Sequence, residues 1–220
     1  MNPARMAGRR LRRRGFVDRP DAGHALAEAL GERPPDTVVL GLARGGVPVA
    51  AVVARELGAS LDVMVVRKLG APGQPELALG AITAERRVLN SRLIADLGVS
   101  PADLDAVAER EQLELRRREQ TYRQGRAALD PAGRPVVLVD DGVATGASMR
   151  VAALALRETG VASLVIAVPT GPANVGMLFS DIADEVVCVH TPVPFTAVGL
   201  SYLHFDQVDD AGVRAALGET

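Results

Sequence analysis

Two hydrophobic patterns alternate along the chain: short runs of consecutive apolar residues, and stretches in which apolar residues recur every three or four positions. The short, mostly apolar runs predict buried strands at 37–42, 61–66, 136–139, 163–168 and 185–189. The periodic stretches predict helices at 22–30, 47–57 and 149–157. Because short, β-branched strands alternate with helices, we expect an α/β fold of three layers, in which helices cover both faces of a parallel sheet of about five strands.

Residues with strong preferences for helix ends mark several of these boundaries. Asp21 precedes the first helix as a predicted N-cap, and Gly31 follows it as a predicted stop. Pro48 suits the first turn of the second helix, and Gly58 suits its end. The local chemistry therefore supports these helices independently of the hydrophobic pattern.

Two segments depart from the alternation. The segment 67–90 begins with a loop rich in glycine and proline and could continue as a hairpin around 84–86. The segment 101–124 predicts one long helix, with Ser100 and Asp103 as a variant capping box. Its middle is charged around most of its circumference, which favours a helix that projects from the domain or contacts a second subunit.

Length and composition allow one sizeable core. The chain has 220 residues, 48% of them hydrophobic, so a single domain over 21–220 is expected. The arginine cluster in residues 1–20 predicts a basic, disordered tail. The net charge of −2 provides no general attraction for nucleic acid or an acidic membrane, so neither is an expected partner. Cys188 is the lone cysteine and no apolar run could span a bilayer, so a cytoplasmic location is expected.

The most informative stretch is VVLVDDGVATGAS, which begins at Val136 and ends at Ser148. Asp140 and Asp141 follow a predicted strand directly, and ligands bind at such strand ends in parallel α/β sheets. The next loop turns into a predicted helix, whose first N–H groups favour a phosphate, and the hydroxyls of Thr145 and Ser148 can add donors. A ribose 5-phosphate fits both the acids and the loop, because its vicinal hydroxyls can donate to the carboxylates and its phosphate can accept from the loop. The carboxylates could also help to hold Mg²⁺, partly through water.

This stretch resembles the phosphoribosyl-diphosphate (PRPP) binding motif of the type I phosphoribosyltransferases. The resemblance implies a fold of that type with a small C-terminal hood, and a Mg²⁺-dependent transfer of the 5-phosphoribosyl group from PRPP to a nitrogen acceptor with release of diphosphate. A nucleobase acceptor, a role in nucleotide salvage and a homodimer are implied with it. The resemblance assigns the 5-phosphate to Gly142, Val143, Ala144, Thr145, Gly146, Ala147 and Ser148, and the metal to Asp140 and Asp141.

Two further segments fit the same family. The loop after the first strand resembles the family's diphosphate loop, where glycine N–H groups approach the ligand and an arginine adds charge, at Arg44, Gly45 and Gly46. Arg67 and Lys68 end the next predicted strand, where the family often has cations, so they join Asp140 and Asp141 as candidates for catalysis. The stretch 69–75 resembles the start of the loop that closes over the substrate.

The acceptor is the least determined part of this interpretation. Family members that act on 6-oxopurines commonly have an acid where this chain has Ala144, which disfavours hypoxanthine or guanine. Phe195 and Tyr202 are candidates for stacking on an acceptor, although packing is the simpler role for each. Two alternatives stay open: a PRPP-binding regulator of the same fold without catalysis, and a hydrolase of phosphorylated ribose compounds.

Overall fold

The computed structural model describes residues 15–84 and 86–218, the side chains of residues 75 and 76 excepted. In chain order, its elements are α1 Arg19–Leu30, β1 Val38–Leu42, α2 Gly46–Leu57, β2 Ser60–Met64, β3 Arg67–Ala71, β4 Gln74–Ile82, β5 Arg87–Leu89, α3 Ser91–Asp96, α4 Pro101–Arg123, β6 Pro135–Val139, α5 Ala147–Glu158, β7 Ser163–Thr170, α6 Val175–Leu178, β8 Glu185–His190, a 3-10 turn Val198–Ser201 and α7 Asp210–Gly218. The main sheet is parallel, with five strands in the order β2-β1-β6-β7-β8. The predicted α/β class and parallel sheet are confirmed.

Alternate residues of the central strands pack on opposite sides of this sheet. Val38 and Leu40 face a core that includes Met149 of α5. Val39 faces the opposite core, which includes Leu26 of α1 and residues of α2. Successive side chains of a strand point to opposite faces, so a strand covered on both sides must be apolar throughout. This requirement is why mostly apolar runs predicted the strands.

The first helix begins earlier than predicted. α1 starts at Arg19, and its N-cap is Asp18, whose carboxylate accepts from the Asp21 N–H at 2.9 Å. Asp21 lies inside the first turn and accepts from the Val17 N–H instead. The prediction of Asp21 as the cap was wrong because two acids three positions apart both suit a helix start, and only the backbone bond distinguishes them.

The predicted disordered tail over residues 1–20 has to be shortened. The Phe16 ring is 4% exposed and contacts the Tyr202 ring, and the Phe16 N–H donates to the Ser201 carbonyl oxygen at 2.7 Å. An apolar anchor just before α1 thus fastens this part of the chain to the C-terminal segment. Residues 1–14, which carry most of the arginine cluster, lie outside the described residues, and the tail prediction stays untested for them.

The segment after β2 forms a second sheet of three antiparallel strands, in the order β3-β4-β5. The hairpin predicted in this region is confirmed, and the Thr83 N–H donates to the Arg86 carbonyl oxygen across its turn at 2.8 Å. The stretch 69–75 belongs to the strand, turn and strand of β3 and β4. Arg67 and Lys68 therefore begin β3, whereas the sequence placed them at the end of the preceding strand.

The long helix predicted over 101–124 is α4, which has 23 residues. Ser100 caps it: the Ser100 hydroxyl accepts from the Asp103 N–H at 3.1 Å and donates to the Asp103 carboxylate at 2.7 Å. α4 lies along β3 and α7 instead of projecting. Five apolar or aromatic residues on one face provide that contact: Leu104, Val107, Ala108, Leu115 and Tyr122. The prediction of a projecting helix was wrong because charged residues surround most of α4 and leave only this narrow buried stripe.

The C-terminal part of the chain returns over the carboxyl edge of the main sheet. We call residues 191–206 the hood segment; it contains the 3-10 turn and leads to α7, which packs on α2 and α4. The 3-10 turn lies against the loop after β6, since a Cβ placed on Gly142 would be 2.5 Å from Val198 Cγ1. None of the helices in the described ranges combines the length and the apolar character needed to cross a bilayer.

Candidate functional site

Two loops meet at the carboxyl edge of the main sheet. β1 and β6 are neighbours with Gly41 opposite Val139, so the loops that follow them start side by side. A Cβ placed on Gly45 would lie 2.7 Å from the carboxyl carbon of Asp141, and one on Gly46 would lie 2.6 Å from the Val139 carbonyl oxygen. The Gly45 backbone is ordinary (φ −61°, ψ −33°), so this glycine serves close approach and not conformation. The predicted diphosphate loop therefore touches the acid pair.

Asp140 and Asp141 are half-buried at the end of β6. Asp140 Oδ1 accepts the Asp141 N–H at 2.9 Å, and Asp141 Oδ2 accepts from Arg19 Nε at 2.8 Å. Burial raises the pKa of Asp140 well above its ordinary value, and the charge of Asp141 raises it further. Burial also raises the pKa of Asp141, and the Arg19 charge and hydrogen bond oppose that shift. Among the described residues, a protein donor reaches one oxygen of each acid, Asp140 Oδ1 and Asp141 Oδ2, and we call the other oxygen of each acid its open oxygen.

Arg19 is the residue of this site that sequence reasoning missed. Its partner Asp141 is 122 positions away, and Arg19 stood in the predicted tail. Arg19 Nη1 donates to the Asp206 carbonyl oxygen at 2.7 Å, and the guanidinium lies 4.1 Å from the Phe205 ring centroid. No spacing rule indicates so distant a partner. The available signal is an arginine in the first turn of a helix, where positive charge is unfavourable unless something else holds it.

The loop after the acids leads into α5, which begins at Ala147. Gly146 precedes α5 with a left-handed φ of 76°, and a Cβ there would lie 2.7 Å from the Phe179 ring. The left-handed backbone and the lack of room for a Cβ therefore both require glycine at this position. Among the described residues, no protein acceptor takes the N–H groups of Ala144, Thr145 or Gly146, and the first N–H groups of α5 are unpaired as at any helix start. The exposed residues of this loop are Ala144, Thr145, Ala147 and Ser148.

Gly142 and Val143 form the packed base of this loop. The Val143 side chain is 3% exposed, and its N–H donates to the Thr170 carbonyl oxygen at 2.9 Å. Gly142 packs against Thr170 and Val198. Because its N–H is already used, we do not expect Val143 to donate to a phosphate. The assignment of the other residues of the loop to the 5-phosphate stays a prediction.

Arg44 lies in the loop after β1, with its side chain 31% exposed. Arg44 Nη1 is 3.9 Å from Asp210 Oδ1, and Asp210 also accepts from the Tyr122 hydroxyl at 3.0 Å. An ion pair of this length and exposure contributes little to stability. The Arg44 guanidinium is therefore weakly held and can move to an anionic ligand.

Arg67 and Lys68 point to opposite sides of β3, because side chains alternate along a strand. Arg67 Nε donates to the Glu111 carboxylate of α4 at 3.0 Å, on the side where Leu69 packs against that helix. Lys68 and Ser148 line one cavity of about 380 Å³ between the hairpin and α5. Arg67 is thus paired with α4, while Lys68 shares a cavity with the predicted phosphate loop. Both side chains also line a second cavity beside α4, and their assignment to the diphosphate stays a prediction.

Tyr202 does not offer its ring to an acceptor. The residue is 8% exposed, and its ring lies between those of Phe16 and Phe205, at centroid distances of 5.5 Å and 4.8 Å. Its hydroxyl donates to the Asp141 carbonyl oxygen. Burial raises the pKa of Tyr202, with a further contribution from the Asp141 charge. Tyr202 thus supports the acid pair, whereas Phe195 is half-buried in the hood segment.

The donors at this edge fit Mg²⁺ as a site completed by a ligand. Mg²⁺ prefers octahedral oxygen coordination and is usually held by one or two carboxylates together with water and substrate phosphates. Asp140 and Asp141 supply one open oxygen each. In the described ranges, no group of three or more His, Cys, Asp or Glu side chains could hold a metal. A metal here would depend on a phosphate-bearing ligand for further coordination.

The chain matches known proteins over most of its length. A family model described as the phosphoribosyl transferase domain matches residues 20–174. Two curated relatives from Mycobacterium tuberculosis are named "Putative phosphoribosyl transferase MT0597" (strain CDC 1551) and "Putative phosphoribosyl transferase Rv0571c" (strain H37Rv). Each is 48% identical over 204 residues, which is 92% of this chain and 46% of the relative. The chain therefore spans about half the length of the curated relatives it matches.

A solved structure shares the fold. The crystal structure of TT1426 from Thermus thermophilus has a TM-score of 0.79 and 45% sequence identity to this chain, and the match covers 92% of this chain and 97% of that one. The family match includes both loops of the candidate site, whereas Arg19 and the hood segment lie outside it.

Proposed function

The chain belongs to the phosphoribosyl transferase domain family, and from that premise we propose that it transfers the 5-phosphoribosyl group of PRPP to a nitrogen acceptor. The bond between C1 of the ribose and the diphosphate oxygen breaks, and a bond between C1 and nitrogen forms. Diphosphate and the proton of the acceptor nitrogen are released. Dependence on Mg²⁺ and a nucleobase as the acceptor are parts of the proposal.

One observation carries this proposal: the acid pair lies between a phosphate-binding loop and a glycine loop at one edge of the sheet. The N–H groups of residues 144–148 follow the acids along the chain. Gly45 and Gly46 touch the acids from the neighbouring strand. PRPP has the matching order of groups, with a 5-phosphate on one side of its ribose hydroxyls and a diphosphate on the other.

Positioning is the first task that these residues would perform. The open oxygens of Asp140 and Asp141 accept hydrogen bonds from the ribose hydroxyls. The N–H groups of residues 144–148 and the hydroxyls of Thr145 and Ser148 donate to the 5-phosphate. Fixing both ends of the ribose places C1 against the acceptor, which can supply a large part of the rate enhancement.

Stabilising the leaving group is the second task. Arg44 is the cation assigned to the departing diphosphate, because it belongs to the glycine loop after β1 and is weakly held. Lys68 shares a cavity with Ser148, so its charge is assigned to the 5-phosphate side of the site. When bound at the acid pair, Mg²⁺ supplies positive charge beside the leaving group. This reaction needs no protein nucleophile, so catalysis depends on position and charge.

The acceptor, a cytoplasmic location, a role in nucleotide salvage and a homodimer stay predictions. Phe195 remains the candidate for stacking on the acceptor. Three apolar side chains of the hood segment are largely exposed, at 86%, 75% and 74%: Val193, Leu200 and Leu203. Such exposure supports a hood segment that contacts a ligand or a second subunit.

Diphosphate release from PRPP with Mg²⁺ tests the proposal, measured across purine and pyrimidine bases and with no base. Release with one base supports the transferase and identifies the acceptor. Equal release without base indicates the hydrolase, and PRPP binding without release indicates the regulator. The variants Asp140→Asn and Asp141→Asn should weaken PRPP binding and stay folded, while Asp105→Asn, an exposed acid on α4, serves as the control. Unfolding of the first two variants alone would contradict a ligand-binding role for the acids.

A further inference from the structure

Arg19 joins three parts of the molecule that are far apart in the sequence. It starts α1, its Nε donates to Asp141 Oδ2 at 2.8 Å, and its Nη1 donates to the Asp206 carbonyl oxygen at 2.7 Å. Its guanidinium covers the Phe205 ring at 4.1 Å. The side chain is 11% exposed and that of Asp141 is 14% exposed, so the contact is largely removed from solvent. A shielded, charge-assisted bond of this kind orients its acceptor strongly.

With Arg19 in place, each carboxylate of the acid pair has one oxygen held by a hydrogen bond. The Asp141 N–H holds one oxygen of Asp140, and Arg19 holds one oxygen of Asp141. In each carboxylate, the remaining oxygen is then aimed by the bond that its partner oxygen makes. Without Arg19, the Asp141 carboxylate could rotate and would face the charge of Asp140 without a cation beside it. Prior orientation of this kind decides how well a site holds its ligand.

Arg19 also ties the hood segment to the same acid. Phe205 and Asp206 belong to that segment, and Tyr202 in the same segment donates its hydroxyl to the Asp141 carbonyl oxygen. Two backbone bonds add to this junction, from the Leu203 N–H to the Phe16 carbonyl oxygen and from the His204 N–H to the Val17 carbonyl oxygen, both at 2.8 Å. The hood segment and Asp141 are therefore fastened to one another through the start of α1.

We propose that Arg19 is a positioning residue that orients Asp141 for the ribose hydroxyls and fastens the hood segment to that carboxylate. This role rests on the proposed function, since it assumes that Asp141 binds the ribose of PRPP. Arg19 itself touches neither the ribose nor the reacting atoms. Its effect passes through Asp141, so its removal should weaken PRPP binding more than a comparable loss of stability explains.

A second arginine provides a matched control. Arg33 Nη1 and Nη2 donate to the Glu185 carboxylate at 2.6 Å and 3.0 Å, and Arg33 Nε donates to the Leu30 carbonyl oxygen at 3.0 Å. This arginine also links the α1 region to a distant part of the chain. Its partner begins β8, so the contact lies at the amino edge of the sheet, opposite the candidate site.

The test compares Arg19→Gln, Arg19→Lys and Arg33→Gln with the unaltered chain. PRPP affinity is measured by titration calorimetry with Mg²⁺ present, and the midpoint of thermal unfolding is measured without ligand. A misoriented Asp141 would lose a charge-assisted hydrogen bond to a ribose hydroxyl, and the loss of one such bond corresponds to about 10- to 100-fold in affinity for PRPP. We expect Arg19→Gln to weaken PRPP binding by that factor, and Arg33→Gln to change it less than about twofold. Arg19→Lys should restore part of the affinity, because an ammonium reproduces the charge but not the two-directional bonding or the stacking.

Amide hydrogen exchange without ligand tests the second half of the role. Exchange in residues 198–206 should accelerate in Arg19→Gln and stay unchanged in Arg33→Gln. Equal PRPP affinity and equal hood exchange in Arg19→Gln and the unaltered chain would overturn the inference while the proposed function stands. A fall in thermal stability without a change in PRPP affinity would show that Arg19 only stabilises the fold, and this result would also overturn the inference. If the unaltered chain does not bind PRPP, the proposed function fails, and this inference fails with it.

Discussion

Replacing Gly45 with alanine should disable the acid pair through a single methyl group. The Gly45 backbone already has helical angles (φ −61°, ψ −33°), so alanine meets no conformational penalty. The new Cβ would overlap Asp141 Oδ2, the oxygen that accepts from Arg19, and would lie 2.7 Å from the carboxyl carbon. Nonbonded carbon atoms prefer separations of about 3.5–4.0 Å, so the carboxylate must move away by about 1 Å or more. That movement stretches the 2.8 Å bond from Arg19 and misplaces the open oxygen.

Two opposing effects set the expected stability of Gly45→Ala. Weakening a largely buried, charge-assisted hydrogen bond costs about 1.5–3 kcal/mol. Alanine in place of glycine at a backbone angle that alanine can adopt recovers about 0.4–1 kcal/mol, because it restricts the unfolded chain. The net loss of about 0.5–2.5 kcal/mol corresponds to a fall of about 1–10 °C in Tm for a chain of this size. Activity should suffer far more, because a displacement of about 1 Å in a positioned group can cost about 100-fold in rate.

The assay measures kcat/KM for diphosphate release and the affinity for PRPP, with Gly58→Ala as the control. Gly58 has a left-handed φ of 62°, and nothing lies within 4 Å of its added Cβ. Alanine there costs about 1–2 kcal/mol through the backbone alone. Both variants should therefore lose similar stability, and only Gly45→Ala should lose function. A Gly45→Ala chain with unaltered affinity and kcat/KM would refute the argument that this glycine makes room for Asp141.

Three further predictions follow from individual side chains. Lys68→Ala should raise the KM for PRPP about tenfold, because Lys68 shares a cavity with Ser148. Arg67→Ala should change mainly Tm, because Arg67 pairs with Glu111 of α4. Equal effects of the two variants on KM would contradict this assignment. Burial raises the pKa of Cys188 to about 11, so little reactive thiolate exists at pH 8. At that pH, iodoacetamide should react with the folded chain about 100-fold more slowly than with the urea-unfolded chain. The rate for the folded chain should rise with pH up to about pH 11. Comparable rates at pH 8 would show the thiol to be accessible and ionised. Tyr202→Phe should lower stability by about 1 kcal/mol through the lost bond to Asp141, without changing the KM for the acceptor; a raised acceptor KM would restore the ring as an acceptor contact.

Several elements could be predicted because their causes are local. The three inner strands β1, β6 and β7 are buried on both faces, and each therefore appears as a nearly continuous apolar run. The cap of α4 needs only Ser100 and Asp103, which are three positions apart. The acids and the phosphate loop after β6 are likewise contiguous. One short segment was therefore enough to propose Asp140 and Gly146 as site residues.

Other parts of the candidate site could not be predicted because their partners come from distant segments. Arg67 and Lys68 are adjacent and chemically alike, yet strand alternation sends one to Glu111 and the other toward Ser148. Which side faces the phosphate loop depends on how the hairpin packs against α4. Tyr202 is an aromatic residue in a late segment, and only its packing shows that its ring is enclosed.

The order of residues alone determined the periodicities, the caps and the pairing of two acids with an anion loop, since each arises from neighbours within one or two turns of chain. Tertiary structure alone decided that Gly45 touches Asp141 and that Arg19 reaches the same carboxylate across 122 positions. Those contacts require β1 to lie beside β6 and the hood segment to return over the sheet. Strand order and chain return follow from the burial of whole surfaces, which no short stretch of sequence contains.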